Sequence, residues 1–177
     1  VMCPADDVET AAMVRAAYEH EGPVYMRFGR LAAPVFHDPD NYTFQIGKGE
    51  LLREGSDVAI LANGLMVHEA LDAAEALAQS GISARVINLA TIKPLDEEIV
   101  LQAARECGKI VTVEEHNIIG GLGEAVCACV AEHCPVPVKR IGVNDAFGHS
   151  GPAADLLRQF GLCADNIAAV TKSFLGK

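Results

Sequence analysis

Lys109 to Val126 reads KIVTVEEHNIIGGLGEAV. It opens with the apolar run Ile110-Val111-Thr112-Val113, which has the length and β-branched content of a buried strand. Two acids and a histidine follow, Glu114, Glu115 and His116. Then comes a glycine turn, Gly120, Gly121 and Gly123, and a helical pattern. A strand that ends in polar groups and turns through glycine into a helix is the repeating unit of an open α/β sheet. Contacts and chemistry gather where the carboxyl end of such a strand meets the next helix.

The same unit recurs on both sides. Upstream, 57–62 and 84–89 read as buried strands. The helical spacing of Val67, Ala70, Leu71, Ala74, Leu77 and Ala78 predicts a helix from about residue 65 to 79. A second helix is capped by Asp96, faces inward through Ile99, Val100, Ala103 and Ala104, and ends at Cys107-Gly108. Downstream, Val136 to Ile141 reads as a last strand, and Pro137 suits an edge or a strand start. Pro152 opens a first tail helix, and Asp165 is expected to cap a second. Residues 46–55 suggest a short strand and turn, antiparallel at an edge. Together these predict a mostly parallel sheet of about five strands with helices on both faces.

The beginning of the chain differs. Residues 6–20 look helical, with Asp6 as cap and Glu9 as its capping-box partner. Val24 to Phe28 reads as a strand. Residues 31–45, with Pro34, Asp38, Pro39, Asp40 and Asn41, show no period and read as a linker. Residues 1–30 cannot make a core alone. Starting at Val1 and entering a helix almost at once, the chain reads as a section of a larger protein.

Composition narrows the partners. The 177 residues are half hydrophobic and carry a formal net charge of −10. Without a basic stripe, this argues against nucleic acid or an anionic membrane as partner. No apolar run approaches a membrane span, and no signal peptide is visible. The six cysteines read as buried, reduced thiols. Cys127-x-Cys129 would point to two sides of one helix, which does not suit a metal.

Four groups are candidates for function. Gly121-x-Gly123 lacks the third glycine of a dinucleotide fingerprint, since Val126 stands there, so close helix–strand packing is the preferred reading. Glu114, Glu115 and His116 offer an acid/base cluster. Adjacent strand residues point to opposite faces, so a charged strand terminus at a subunit contact is preferred. Arg27 and Arg30 flank a strand end, where an arginine can clamp a phosphate or carboxylate or make a surface ion pair. His149 precedes a helix start of the kind that can bind an anion, with capping by Ser150 the plainer account.

Four motifs carry a family resemblance: Gly22-Pro23-Val24-Tyr25-Met26-Arg27-Phe28-Gly29-Arg30, Ile92-Lys93-Pro94-Leu95-Asp96, Val113-Glu114-Glu115-His116 with Gly120-Gly121-Leu122-Gly123, and Gly142 to Gly151. In this order and spacing the chain resembles the transketolase family of thiamine-diphosphate enzymes, above all the C-terminal subunits of split transketolases. Deoxyxylulose-phosphate synthase and the β subunit of 2-oxoacid dehydrogenases share the ground plan.

The resemblance implies an α/β three-layer sandwich with a mostly parallel five-stranded sheet and one antiparallel edge strand over 46–177. Residues 1–30 would be the end of a pyrimidine-binding domain and 31–45 a linker. It implies a cytoplasmic transferase of the pentose phosphate pathway that moves a two-carbon ketol unit between sugar phosphates, using thiamine diphosphate and Mg2+. The diphosphate-binding domain would lie on an N-terminal partner subunit, and the chain would form a homo-oligomer, a dimer in its contacts. Nothing here matches the family's metal and diphosphate motif, and neither Glu114 nor Glu115 corresponds to the cofactor-activating glutamate. The chain alone is therefore expected to be inactive, with no catalytic, cofactor or metal residue. Arg30 is the one substrate residue carried over, as a contact to the sugar phosphate. Glu114, Glu115, His116, Gly120, Gly121, Gly123 and His149 are interface or structural candidates. The alternatives are the two related reactions, or a non-catalytic assembly or regulatory module.

Overall fold

A computed structural model describes residues 1–30 and 32–177. Position 31, the first of the expected linker, lies outside the described residues. Helix α1 (Asp7–Glu19) is followed by strand β1 (Glu50–Arg53), β2 (Val58–Ala62), α2 (Met66–Ala78), β3 (Ala84–Asn88), α3 (Glu97–Cys107), β4 (Ile110–Asn117), α4 (Leu122–His133), β5 (Val138–Val143), α5 (Ala153–Gln159) and α6 (Ala164–Leu175).

The strands form one sheet in the order β1-β3-β2-β4-β5. β3, β2, β4 and β5 run parallel, and β1 pairs antiparallel with β3 at one edge. The expected mixed sheet is thus present. β5 takes the other edge, and Pro137 stands just before it, its carbonyl accepting from the Ile110 amide at 3.1 Å. The central strands β2 and β3 are buried at every position, as parallel strands covered on both faces must be.

Alternation along β2 divides the core. Val58, Ile60 and Ala62 face α2 and α6, packing with Met66, Leu77 and Ile167. Ala59 and Leu61 face α3 and α4, packing with Val100, Leu122 and Val126. Each fully buried Leu or Ile contributes roughly 1.5–3 kcal/mol. Asp96 caps α3, accepting from the Ile99 amide, and Gly108 ends it in the left-handed conformation at φ 67°, which a glycine adopts at little cost.

Three local expectations differ from the structure. Val24–Phe28 is not a strand of the sheet; only Met26 makes an isolated bridge, to Met2. The segment pairs instead with the first residues of the chain, the only ladder partner it meets among the described residues being Met2. α6 is entered through Cys163 rather than Asp165, which lies in the first turn. The Ala164 amide donates instead to Glu69 Oε2 of α2 at 2.6 Å, so a tertiary contact replaces the local cap. Ser150 does not cap α5, whose N-cap is Pro152 without a side-chain bond.

Residues 1–30 and 32–46 pack against the carboxyl ends of the strands. Met2, Met13 and Ala90 form a small cluster with Val24, Met26, Phe44 and Ile46 around them. The capping box is half formed. Asp6 Oδ1 accepts from the Glu9 amide at 2.9 Å, but the Glu9 carboxylate reaches the Ala5 amide at 2.6 Å instead of Asp6.

Candidate functional site

In a doubly wound sheet the ligand crevice opens where successive connections leave in opposite directions. Here β2 is followed by β3 on one side and has β4 on the other. The switch point therefore lies between Asn63-Gly64, after β2, and Glu114-Glu115-His116, at the end of β4. A cavity of about 370 Å3 opens at this place, lined by Cys3, Arg27, Asn63, Glu115, His116 and Gly121 among others.

Residues 1–3 line one side of the crevice. Met2 bridges both Met26 and Thr91. The Met2 amide donates to Tyr25 O, the Arg27 amide to Met2 O and the Cys3 amide to Ala90 O, all at 2.8–2.9 Å. Gly64 stands at φ 57°, and a Cβ there would lie 2.7 Å from Cys3 Sγ; its absence admits the cysteine. Burial pushes the Cys3 thiol up, although Arg27 Nη1 lies 3.9 Å away. Among the described residues all six cysteines are free, Cys3 and Cys129 buried and the others half-buried.

Glu114 and Glu115 part company, as residues of opposite strand faces must. Glu114 is 1% exposed. Its Oε2 accepts from the Leu122 amide at 2.7 Å and its Oε1 from the Gly123 amide at 2.8 Å. It is thus a remote cap of α4, whose own N-cap, Gly121, has no side chain to do this. A carboxylate on two first-turn amides satisfies donors the helix cannot, and suits the positive end of its dipole. Glu114 therefore does not belong to a subunit-contact surface. Glu115 points outward and pairs with Arg27 Nη2 at 3.4 Å. His116 is exposed, its Nδ1 2.8 Å from Asn117 O.

The glycine turn is built around the Glu114 carboxylate. A Cβ on Gly121 would lie 1.9 Å from Glu114 Oε2, and one on Gly123 within 2.8–2.9 Å of Arg140 and Thr112. Gly120, at φ 75°, turns the chain, and its amide donates to Glu124.

Arg30 stands apart from this group. It is exposed and lines a second cavity, about 280 Å3, together with His149, Glu115 and an apolar floor of Leu65, Leu157, Phe160 and Leu162. His149 lies against Phe160, ring centres 5.5 Å apart. The structure thus brings Arg30, Glu115 and His149 to one cavity and Glu115, His116, Gly120 and Gly121 to its neighbour.

A polar cluster under the crossing loop has no counterpart among the sequence candidates. Glu9, 1% exposed, accepts from Tyr42 Oη at 2.5 Å and Asn88 Nδ2 at 2.9 Å. Burial raises the Glu9 pKa against the pull of these donors. His37 lies between Asp6 and Glu50. One signal was available: Glu9 sits four residues before the buried Met13, on the face that α1 turns inward.

Fold and crevice together define a doubly wound α/β domain whose switch point is lined on one side by the segment that precedes it. The family described as transketolase, C-terminal domain, matches residues 47–167, and the chain belongs to it. A 6-deoxy-6-sulfo-D-fructose transketolase subunit of Clostridium sp. (strain MSTE9) is 49% identical over 164 residues, covering 93% of this chain and 51% of the relative. A 1-deoxy-D-xylulose-5-phosphate synthase of Geobacter sulfurreducens is 44% identical over 178 residues, 99% of this chain and 28% of the synthase. A solved structure described as a split gene transketolase, inactive β4 tetramer, superposes with a TM-score of 0.94 at 46% identity, covering 99% of this chain and 57% of that one. The chain thus spans about half the length of the transketolase subunits it matches. No helix among the described residues is long and apolar enough to cross a membrane.

Proposed function

We propose that the chain is the C-terminal section of a split transketolase, cytoplasmic, which moves a two-carbon ketol unit between sugar phosphates together with an N-terminal subunit. In this reading residues 1–30 end the pyrimidine-binding domain, 31–45 cross over, and 46–177 form a C-terminal domain that serves assembly in a homo-oligomer. Arg30 contacts the substrate phosphate, for which a guanidinium has matching donors. Glu115, His116, Gly120 and His149 lie on or near the face offered to neighbouring domains, while Glu114, Gly121 and Gly123 hold its shape. The observation that carries the reading is the 49% identity to a transketolase subunit across 93% of the chain, a span that includes more than the C-terminal domain.

Thiamine diphosphate with Mg2+ belongs to the complete enzyme in this proposal. A diphosphate and its metal ask for several converging oxygen ligands. Among the described residues no group of three or more His, Cys, Asp or Glu side chains is placed to hold a metal ion. The crevice carboxylates are engaged, Glu114 by two amides and Glu115 by Arg27. The residues of this chain do not fit that group, no step is assigned to them, and the chain alone is inactive in this reading.

The relative from Clostridium is named for a sulfonated sugar, and the identity of donor and acceptor follows the missing half. A second reading, deoxyxylulose-phosphate synthesis, is favoured by the 44% identity to that synthase over the whole chain. The test is to combine the full-length subunit that contains this section with the N-terminal subunit, thiamine diphosphate and Mg2+. Ketol transfer from xylulose 5-phosphate to ribose 5-phosphate, or from 6-deoxy-6-sulfofructose, supports the proposal. Condensation of pyruvate with glyceraldehyde 3-phosphate supports the second reading, and ketol transfer by this chain without the subunit overturns the first.

A further inference from the structure

The crossing loop is fastened by a histidine held between two carboxylates. His37 Nδ1 lies 3.0 Å from Asp6 Oδ2, and Nε2 lies 2.8 Å from Glu50 Oε2. The side chain is 4% exposed. The amides of Phe36 and His37 also donate to Asp6 Oδ2, at 3.1 and 3.0 Å. The rings of Phe36 and Tyr42 flank the imidazole at 4.2 and 4.1 Å.

A neutral imidazole has one donor and one acceptor, and an ionised carboxylate only accepts. Contact with a carboxylate through both nitrogens therefore calls for the doubly protonated ring. The groups facing it agree: Asp6 and Glu9 from the start of α1, Glu50 from β1, and neutral Tyr42 from the loop itself. Burial works against the charge, but the hydrogen bonds and charges of Glu50 and Asp6 outweigh it and hold the His37 pKa up to about 9.

The two carboxylates belong to different parts of the molecule. Asp6 caps α1 and Glu50 lies on the edge strand of the sheet. A second tie repeats the arrangement, since Tyr42 of the loop reaches Glu9 of α1, which also holds Asn88 at the end of β3. Residues 32–37 of the loop run along the start of α1. Ala32, Ala33 and Val35 line one cavity with Pro4, Asp6 and Thr10.

We propose that His37 is a positioning residue: held as an imidazolium between Asp6 and Glu50, it fixes the crossing loop and thereby the placement of Arg30 towards the substrate phosphate. This rests on the reading of Arg30 given above. His37 itself touches no substrate. Its loss of charge leaves one of the two carboxylates facing a nitrogen that can no longer donate, and the loop comes away while the sheet stays folded.

The first measurement is made on this chain alone. His37 is followed by NMR from pH 6 to 11, with amide protection factors at Phe36 and His37 beside those of β2. The expected result is titration near pH 9 and protection at the two loop amides falling about tenfold across it, with β2 unchanged. His37→Gln should show the low protection at every pH. Titration near the ordinary histidine value, or equal protection in His37→Gln, overturns the clamp.

The second measurement uses the full-length subunit that contains this section, combined with the N-terminal subunit and a phosphorylated acceptor. The substrate phosphate is already fully ionised above neutral pH, so a rise in KM between pH 8 and 10 reports the protein. His37→Gln should raise KM about tenfold at pH 7.5 with kcat within about twofold. His37→Lys keeps a charged group with several donors and should restore KM and carry its rise beyond pH 10. KM raised by Arg30→Gln but not by His37→Gln overturns the positioning role alone. KM unchanged by Arg30→Gln overturns the Arg30 reading, and the positioning role falls with it, while the chain-only measurement still decides the clamp.

Discussion

From Val58 to Ala62 every side chain is buried and apolar, and the strand is held by contacts on both faces. From Val1 to Ile46 the buried side chains are few, and Asp6, Glu9 and His37 are among them. The sheet unit is held by apolar area. The segment before it is held largely by hydrogen bonds between groups that are costly to bury. Burying a polar group is costly unless it is paired, and costlier still for a charge. The second region therefore depends on geometry at single atoms, while the first depends on shape and volume. The two meet at the crevice, where the sheet unit also contains one polar device, Glu114 on the amides of α4.

That device is the place to break the comparison with the largest effect. Gly121→Ala would put a Cβ 1.9 Å from Glu114 Oε2. The carboxylate must leave its two amides or the turn must open. Leaving buried donors unmet costs about 1–3 kcal/mol each, so a loss of about 3 kcal/mol or more in urea unfolding is expected. A loss below about 1 kcal/mol would mean that apolar packing alone secures α4.

The N-terminal segment can be separated from the sheet by pH. His37 is raised in the folded protein, from 6.5 to about 9. Its contribution is therefore complete below about pH 6.5 and is lost as pH rises through about 9. A difference of this size is worth about 3 kcal/mol. Asp6 acts at the other end. Burial opposes its charge, but the amides of Glu9, His37 and Phe36 and the His37 ring lower its pKa. Its contribution is present above the ordinary aspartate value and lost as pH falls through the lowered one. Urea unfolding of the wild type at pH 7 and pH 10 should differ by about 2.5 kcal/mol, and in His37→Gln by far less. Equal differences in both proteins would remove His37 as the cause.

These contrasting forces also explain what was legible in the sequence. The strands β2, β3 and the start of β4 were plain because their apolar residues are contiguous. α3 was plain because Asp96, its inward-facing residues and Gly108 are all local. Glu114 and Glu115 were separated correctly by the period of a strand, yet the two amides that hold Glu114 lie eight and nine residues on. The tie of Asn88 to Glu9 spans 79 residues, and no local pattern reports it. The cap of α6 was misplaced for the same reason, since Glu69 meets the Ala164 amide across 95 residues. Val24–Phe28 has strand composition, but strand identity needs a partner over several residues, and the segment meets only Met2 in a single bridge.

Tyr42→Phe sharpens the comparison at a single atom. The change keeps the ring beside His37 and removes only the hydroxyl that donates to Glu9 at 2.5 Å. A hydrogen bond to a charged group contributes about 1.5–3 kcal/mol. The expected loss is about 2 kcal/mol, less than for Gly121→Ala, because the Ala5 amide and Asn88 still hold the Glu9 carboxylate. A neutral result would show that Glu9 takes up its proton when the hydroxyl is gone. Stability would then fall as pH rises above the ordinary glutamate value, because the folded variant keeps a proton that the unfolded chain releases.

The smallest effect is expected where neither force operates. Asp155 and Arg158 pair at 3.7 Å on α5, and both side chains are about 70% exposed. α5 has no buried residue and no side-chain cap. An exposed pair at this spacing gains little Coulomb energy in water and gives up side-chain freedom to form. Asp155→Asn should therefore change unfolding stability by less than about 0.5 kcal/mol, and added salt should erase even that. A loss of 1 kcal/mol or more would require that α5 be fixed by its charges. The apolar floor that Leu157 and Phe160 give to the Arg30 cavity would then depend on an ion pair as much as the crossing loop does, and the division between a sheet unit held by area and a segment held by polar ties would fail at α5.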